Sequence, residues 1–379
     1  GKFWRCGHQG DEQWGRIMSA LFEPLKIKDI TIRNRIGMGP MCQYSSHDGV
    51  ATDWHMAHIG ARAMGGTGLI IAEATAVTPD GRITPGCAGL WNDQQAEALA
   101  PINAFAKSCG AVIGVQIGHA GRKASSARPW DGGAHLADDA GGWPIVGPSG
   151  DAFDQDGTRL NKVPSAMSID DIHAMTAHFV AAAKRSLDAG YQLLEIHGAH
   201  GYLLHSFFTP LVNTRNDAYG GDFEGRSRFM RETVAAVREV WPENLPLAVR
   251  LSVTDWIDGG LTIEDNIQMA TALKDLGVDM IDCSGGGATP AARASVGTRT
   301  ADQVALAGEL RAATGMITAG VGCITNAKQA ENVITSGRAD LAFMAREHLR
   351  DPHVAARMAR ELGVPPKNHL PLQLGFFVG

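Results

Sequence analysis

The chain has 379 residues, 44% hydrophobic and 20% charged, a globular composition that excludes disordered and collagen-like classes. Lys and Arg number 34 against 40 Asp and Glu, giving a net charge of −6, which argues against a nucleic-acid surface as the main function. Apolar runs such as Leu69-Ile70-Ile71-Ala72 are far shorter than a membrane span.

Residues 1–17 are polar, rich in Gly and Trp, and lack periodicity, whereas Met18-Ser-Ala-Leu-Phe-Glu-Pro-Leu reads as a natural beginning. The first 17 residues are therefore expected to be an appendage. From residue 33 onward, short apolar runs alternate with helical patterns. The candidate strands are 34–39, 68–74, 111–117, 192–197, 246–252, 278–283, 314–319 and 340–345. Each is apolar on both faces, as buried parallel strands require. The clearest helix runs from Ser168 to Ala189. Ser168 and Asp171 resemble a capping box, Ile169, Ile172, Met175 and Phe179 recur at helical spacing, and Gly190 ends it. Further helices are expected around 302–313 and from Thr325 to Ser336. The stretch 121–167 holds four Pro and eight Gly, so it reads as a long functional loop inserted after the third strand.

Eight strand–helix alternations predict an α/β fold, a single (β/α)8 TIM barrel, over residues 18–365. A doubly wound sheet is disfavoured because no Gly-x-Gly-x-x-Gly follows an early strand. The six cysteines, at 6, 42, 87, 109, 283 and 323, form no Cys-x-x-Cys pair. That spacing excludes a zinc ribbon and disfavours a cysteine-bound cluster. With no secretory pattern at the start, reduced thiols in a cytoplasmic protein are expected.

A barrel of this kind keeps its active site at the carboxyl ends of its strands. Those ends read Pro40-Met41-Cys42-Gln43-Tyr44, Glu73-Ala74, Gln116, His197 to Tyr202, Arg250, Ser284-Gly-Gly-Gly287, Gly320-Val-Gly322 and Ala345-Arg346. His197, His200 and Tyr202 form the densest cluster. They can be read as satisfied core histidines, as a metal pair, or as two neutral imidazoles holding an anionic oxygen beside a phenolic proton donor. The last fits best, because no carboxylate stands nearby as a third ligand and Arg250 shares the mouth. Gly320, Gly322 and Arg346 fit a phosphate cradle, the alternative being tight turns with Arg346 paired to Asp351. Cys42 is either a buried small hydrophobe or a thiol in the mouth that acts as a nucleophile or an electronic tuner. No Gly-x-Ser-x-Gly elbow supports acyl transfer.

Four motifs together resemble the Old Yellow Enzyme family of FMN-dependent ene reductases over about residues 20–365. They are Pro40-Met-Cys-Gln-Tyr-Ser45, His197-Gly-Ala-His-Gly-Tyr-Leu-Leu-His205, Asn213-Thr-Arg-Asn-Asp-Ala-Tyr-Gly-Gly221 and Gly225-Arg-Ser-Arg-Phe229. Cys42, where other members carry Thr, and the His–His pair, where many have His–Asn, resemble the thermophilic-like branch that includes the xenobiotic reductases. The resemblance implies FMN across the barrel mouth. Its phosphate would sit at Gly322, Ala345 and Arg346, and its ring at Pro40, Met41, Cys42, Ala74, Gln116 and Arg250, with turn contacts from Ser284 and Gly320.

NADPH or NADH would be the reductant, in alternation with small-molecule activated alkenes: enones, enals, maleimides and nitro compounds. His197 and His200 would bind the acceptor's oxygen, Tyr202 would protonate, Tyr44 would orient the carbonyl, and Cys42 would tune the flavin; no metal is implied. The rival readings are a flavin carrier or sensor, a metal-dependent barrel hydrolase, and a larger dienoyl-CoA reductase, whose cluster cysteines and second nucleotide domain are not within residues 1–379. Relatives often end with an Arg that enters the neighbouring subunit, but no Arg follows Arg360 here. The apolar stretch 366–379 is instead expected at a subunit contact of a homodimer or tetramer.

Overall fold

Eight short parallel strands close on themselves in the computed structural model, which describes residues 19–378, with 296–301 as backbone only. The expected appendage and the start at Met18 lie outside the described residues. The strands are β1 (Ile36–Met38), β2 (Leu69–Ala76), β3 (Val112–Gly118), β4 (Leu193–Gly198), β5 (Leu247–Ser252), β6 (Met280–Ser284), β7 (Ile317–Val321) and β8 (Leu341–Met344). They pair in chain order, and β8 closes onto β1 through the register Ala342↔Ile36 to Met344↔Met38. This is the (β/α)8 barrel. All eight expected strands are present, but the seventh starts later than 314. Thr314 ends the preceding helix, and Gly315 caps it at a φ of 65°, a left-handed conformation suited to glycine.

The strands are packed inside a ring of helices: α1 (Asp53–Met64), α2 (Asp93–Ser108), α3 (Ile169–Asp188), α4 (Phe223–Val240), α5 (Ile263–Asp275), α6 (Pro290–Thr314), α7 (Ala327–Thr335) and α8 (Val354–Glu361). In α3 the expected box is present: Asp171 N–H donates to Ser168 Oγ, and Ser168 N–H donates to the Asp171 carboxylate. The buried face of α3 carries Ile172, Met175, Phe179 and Ala182. Ile169, expected with them, is exposed because the first helical residue precedes the turn that meets the barrel. The helix expected around 302–313 begins earlier, at Pro290 behind a Thr289 cap; its Ala-rich first half has no apolar stripe to announce it. The helix expected from Thr325 starts at Ala327, capped by Asn326.

Inside the barrel, Leu69, Val112, Leu193, Ala248, Met280, Ala319 and Leu341 form one apolar layer near the amino ends of the strands. A hairpin of Leu25–Ile27 and Ile30–Ile32 packs Ile27 and Ile32 against that layer. Segment 121–167 follows β3 as an excursion with only short turns and one strand pair, Val146–Gly147 with Ser165–Ala166. Near the other end of the chain, the helix Leu372–Val378 leaves Leu372, Phe376 and Phe377 more than four-fifths exposed. Among the described residues no helix is long and apolar enough to cross a membrane.

The end of α1 is pressed against the segment before α8. A Cβ built on Gly65 would lie 2.1 Å from the carbonyl oxygen of Pro352 and 2.8 Å from His353 Cα. Backbone cannot yield as a side chain can, so Gly65→Ala is expected to destabilise by about 1–3 kcal/mol. Urea unfolding at constant m-value would measure it; an unchanged midpoint would show that this contact relaxes freely.

Candidate active site

The carboxyl ends of the strands surround a cavity of about 730 Å³. Its wall includes the expected residues Tyr44, His200, Tyr202, Arg250, Ser284, Gly322, Ala345 and Arg346. His197 is set behind them, with Ala74 and Tyr202 around a small adjoining void. Pro40, Met41, Cys42, Gln116 and Gly320 do not line the main cavity. Gly320 faces the other way: a Cβ there would meet Ala339 Cβ at 3.1 Å, so any cofactor contact from it is limited to main chain. The Gln116 carboxamide donates to Glu195 Oε1 at 2.8 Å inside the barrel.

The His–Tyr cluster is held by the turn after β4. Gly201 has a φ of 72°, and a Cβ there would lie 2.2 Å from the carbonyl oxygen of Gly287. Glycine at this point therefore lets the loops after β4 and β6 touch. His205 locks the turn from below. Its Nδ1 accepts from Gly201 N–H at 2.8 Å, and its Nε2 lies 3.2 Å from Asp255 Oδ1, both side chains being fully buried. The rings of His197 and Tyr202 meet edge-on at 4.9 Å, and those of His197 and His200 at 5.2 Å. Ala199 N–H points at His197 Nδ1 at 3.4 Å, which leaves Nε2–H as the donor of that ring. His200 Nε2 is 2.6 Å from Ser284 Oγ, so Ser284 fixes the His200 ring, a contact the sequence does not announce.

Electrostatics fix the protonation states. Burial, reinforced by the Arg250 charge, holds both imidazoles well below the usual histidine range, hence neutral. Burial pushes the Tyr202 phenol up, so it keeps its proton. Cys42 is half-buried, and burial raises its thiol well above the ordinary value. A neutral thiol is a poor nucleophile, which disfavours the nucleophile reading and leaves the small hydrophobe and the electronic tuner.

The sequence reading missed Lys123, on the turn that opens the long insertion. Its Nζ donates to the carbonyls of His200 (2.7 Å) and Gly287 (3.3 Å) and lies 5.0 Å over the Tyr202 ring. The signal was available: Gly121-Arg122-Lys123 follows directly on a strand end. The same insertion gives the cavity Ser126, Pro129, Arg159 and Leu160, and Trp130 packs edge-on against Tyr44 at 5.7 Å.

The wall suits a large dianionic ligand such as FMN. It carries Lys123, Arg159, Arg250, Arg293, Arg346 and Arg350, and Glu347 is its sole carboxylate among the described residues. Asp351, the alternative partner for Arg346, binds Arg357 instead at 2.9 Å. Beside Arg346, the run Val321–Thr325 lines the cavity and leads into α7, bringing backbone N–H groups to the site. Among the described residues, no His, Cys, Asp or Glu side chains group in threes as metal ligands would.

Comparison with known proteins agrees with this donor set. Residues 20–364 match the family model described as NADH:flavin oxidoreductase / NADH oxidase. An NADPH dehydrogenase of Bacillus velezensis is 44% identical over 344 residues, covering 90% of this chain and 95% of that protein. The structure of an Old Yellow Enzyme homologue from Zymomonas mobilis superposes with a TM-score of 0.74 at 27% identity, covering 90% of this chain and 93% of the other. Morphinone reductase in complex with tetrahydroNAD has the same fold, with a TM-score of 0.75 at 23% identity over 92% and 94% of the two chains.

Lys123 yields a pH test. Burial, aided by Arg293 and Arg122, pushes its ammonium down to about 7. Between that value and the unfolded value near 10.5, the unfolded chain binds more protons, so this residue's penalty is full below pH 7 and fades as pH rises. Lys123→Met is therefore expected to raise the melting temperature more at pH 6 than at pH 9. A gain independent of pH would mean the amine is not forced to lose its proton in the folded state.

Proposed function

Because the chain belongs to the NADH:flavin oxidoreductase / NADH oxidase family, and within it to the Old Yellow Enzymes, it is an FMN-binding NAD(P)H:flavin oxidoreductase, and we propose that its reaction is reduction of the activated C=C bond of α,β-unsaturated carbonyl compounds. The observation that carries the reading is the pairing of neutral imidazoles with a protonated phenol at an arginine-rich cavity. Flavin retention alone requires no such set.

Bound FMN supplies the hydride relay between the nicotinamide nucleotide and the alkene. Arg346 and the Val321–Thr325 main chain hold its phosphate, and Arg250 offsets negative charge on the reduced ring. His197 donates Nε2–H to the acceptor's carbonyl oxygen. His200, its ring fixed by Ser284 on Nε2, offers Nδ1 to the same oxygen. Neutral imidazoles suit this task, since they donate hydrogen bonds without surrendering protons. Negative charge gathering on the oxygen is thereby stabilised, and loss of one such donor costs on the order of 10²–10³ in rate. Tyr202 holds the proton delivered to the α-carbon, Lys123 fixes the main chain of the clamp turn, and Tyr44 orients the carbonyl.

The exposed Leu372, Phe376 and Phe377 support a subunit contact for the tail, since such an apolar surface is rarely left in water. The barrel does not cover them itself, and a second copy in a homodimer would.

Tyr202→Phe is expected to retain FMN and its reduction by NAD(P)H while slowing reoxidation by an enone at least tenfold. Stopped-flow half-reactions separate the steps, and an unaltered reoxidation rate would remove Tyr202 as the acid. Deleting 370–379 is expected to lower the mass in light scattering and alter substrate preference with little change in flavin content. Identical mass and preference would rule out the tail as a subunit contact that also forms an apolar wall of the partner's pocket.

A further inference from the structure

Four adjacent strands place polar side chains inside the barrel above the apolar layer: Gln116 from β3, Glu195 from β4, Arg250 from β5 and Asp282 from β6. Strand register sets them in two pairs. Gln116 pairs with Glu195 across β3 and β4, and Arg250 with Asp282 across β5 and β6. Glu195 and Asp282 are completely buried, and of the four only Arg250 reaches the cavity. Gln116 Nε2 donates to Glu195 Oε1 at 2.8 Å, and Arg250 Nε lies 3.1 Å from Asp282 Oδ2. Three oxygens are left over. Among the described residues, none of Glu195 Oε2, Asp282 Oδ1 and Asp282 Oδ2 receives a hydrogen bond from any N–H or O–H group, the Arg250 contact being an ion pair without hydrogen-bond geometry.

Such a layer cannot hold two carboxylates against one guanidinium without a net negative charge sealed from water, which is severely unfavourable. One proton placed between the acids removes that charge and bridges two of the orphaned oxygens. We propose that Glu195 and Asp282 hold a single proton between them, as positioning residues that keep the layer neutral, so that the positive charge of Arg250 answers to the redox state of the flavin. Burial first, then the Asp282 charge, pushes the Glu195 carboxyl up, and burial raises that of Asp282. With the pair carrying one negative charge, the oxidised site is balanced. With no charge, Arg250 would stand unopposed and favour the reduced flavin; with two, it would be over-compensated.

The proposal rests on Arg250 facing FMN, as in the function proposed above. Its test uses the FMN-loaded enzyme and reads the reduction potential by dye equilibration, with infrared spectra of the oxidised protein at pH 8. Glu195→Gln and Asp282→Asn each leave one carboxylate opposite Arg250, the same net charge as the native layer. Each is expected to stay within threefold of the native reduction equilibrium while losing the protonated-carboxyl infrared band. The double variant is expected to favour the reduced flavin at least tenfold, about 30 mV for a two-electron couple.

A tenfold shift already in both single variants would mean that the native pair carries two charges and would overturn the proposal. So would an unmoved potential in the double variant, or a native spectrum without the band. Should the double variant fail to retain FMN, the single variants and the infrared band still decide. Alkene turnover enters none of these readouts, so failure of the ene-reductase reading would appear separately, as a flavin-loaded enzyme with no enone reoxidation.

Discussion

Closure of β8 onto β1 is the constraint from which the rest follows. A closed parallel barrel leaves no sheet edge, satisfies every interior main-chain group by a neighbour strand, and aims all eight carboxyl ends at one mouth. It also divides each strand's side chains between a dry interior and the helix layer. Apolar residues fill the lower interior, so any polar group admitted above them must find a partner inside. Gln116, Glu195, Arg250 and Asp282 are the consequence of that rule, and the cavity begins where Arg250 emerges from them.

The mouth is chemically polarised by the same exclusion of water. Cations line it with little acid to offset them, and burial first, then the Arg250 charge, hold both imidazoles well below the usual histidine range. The histidines thus become hydrogen-bond donors of fixed neutral form, while the phenol beside them retains its proton. His205 and Asp255 play no direct part in the chemistry. They set the main chain of Gly201, and that turn determines where His200 and Tyr202 point.

Much of this was legible in the sequence because buried parallel strands are apolar on both faces and are punctuated at their ends. The eight strands and the His197–Tyr202 cluster were read for that reason. The same uniform apolarity hid which residues face inward. Glu195 and Asp282 lie within strands whose pleat can be phased only once the barrel is closed. Residue type alone did not reveal the place of Gln116 either, since its partner is 79 positions away. Lys123 went unread because it belongs to a turn within a Gly- and Pro-rich insertion, where no periodicity assigns a direction. The first half of α6 was missed for a related reason: alanines carry helical propensity without a stripe.

The hairpin of Leu25–Ile32 beneath the barrel has a consequence for the order of assembly. Ile27 and Ile32 pack on a layer that draws residues from β2 through β8, and Ser19 Oγ donates to Glu331 across 312 positions at 2.6 Å. During synthesis these early residues have no finished seat until the last strand has emerged. Contacts of such long range are paid for in loop entropy before they return any stabilisation. The base of the barrel therefore joins an early hairpin to strands as late as β8, so a ribosome-bound fragment lacking β8 must keep Ile27 and Ile32 waiting in a partly open shell.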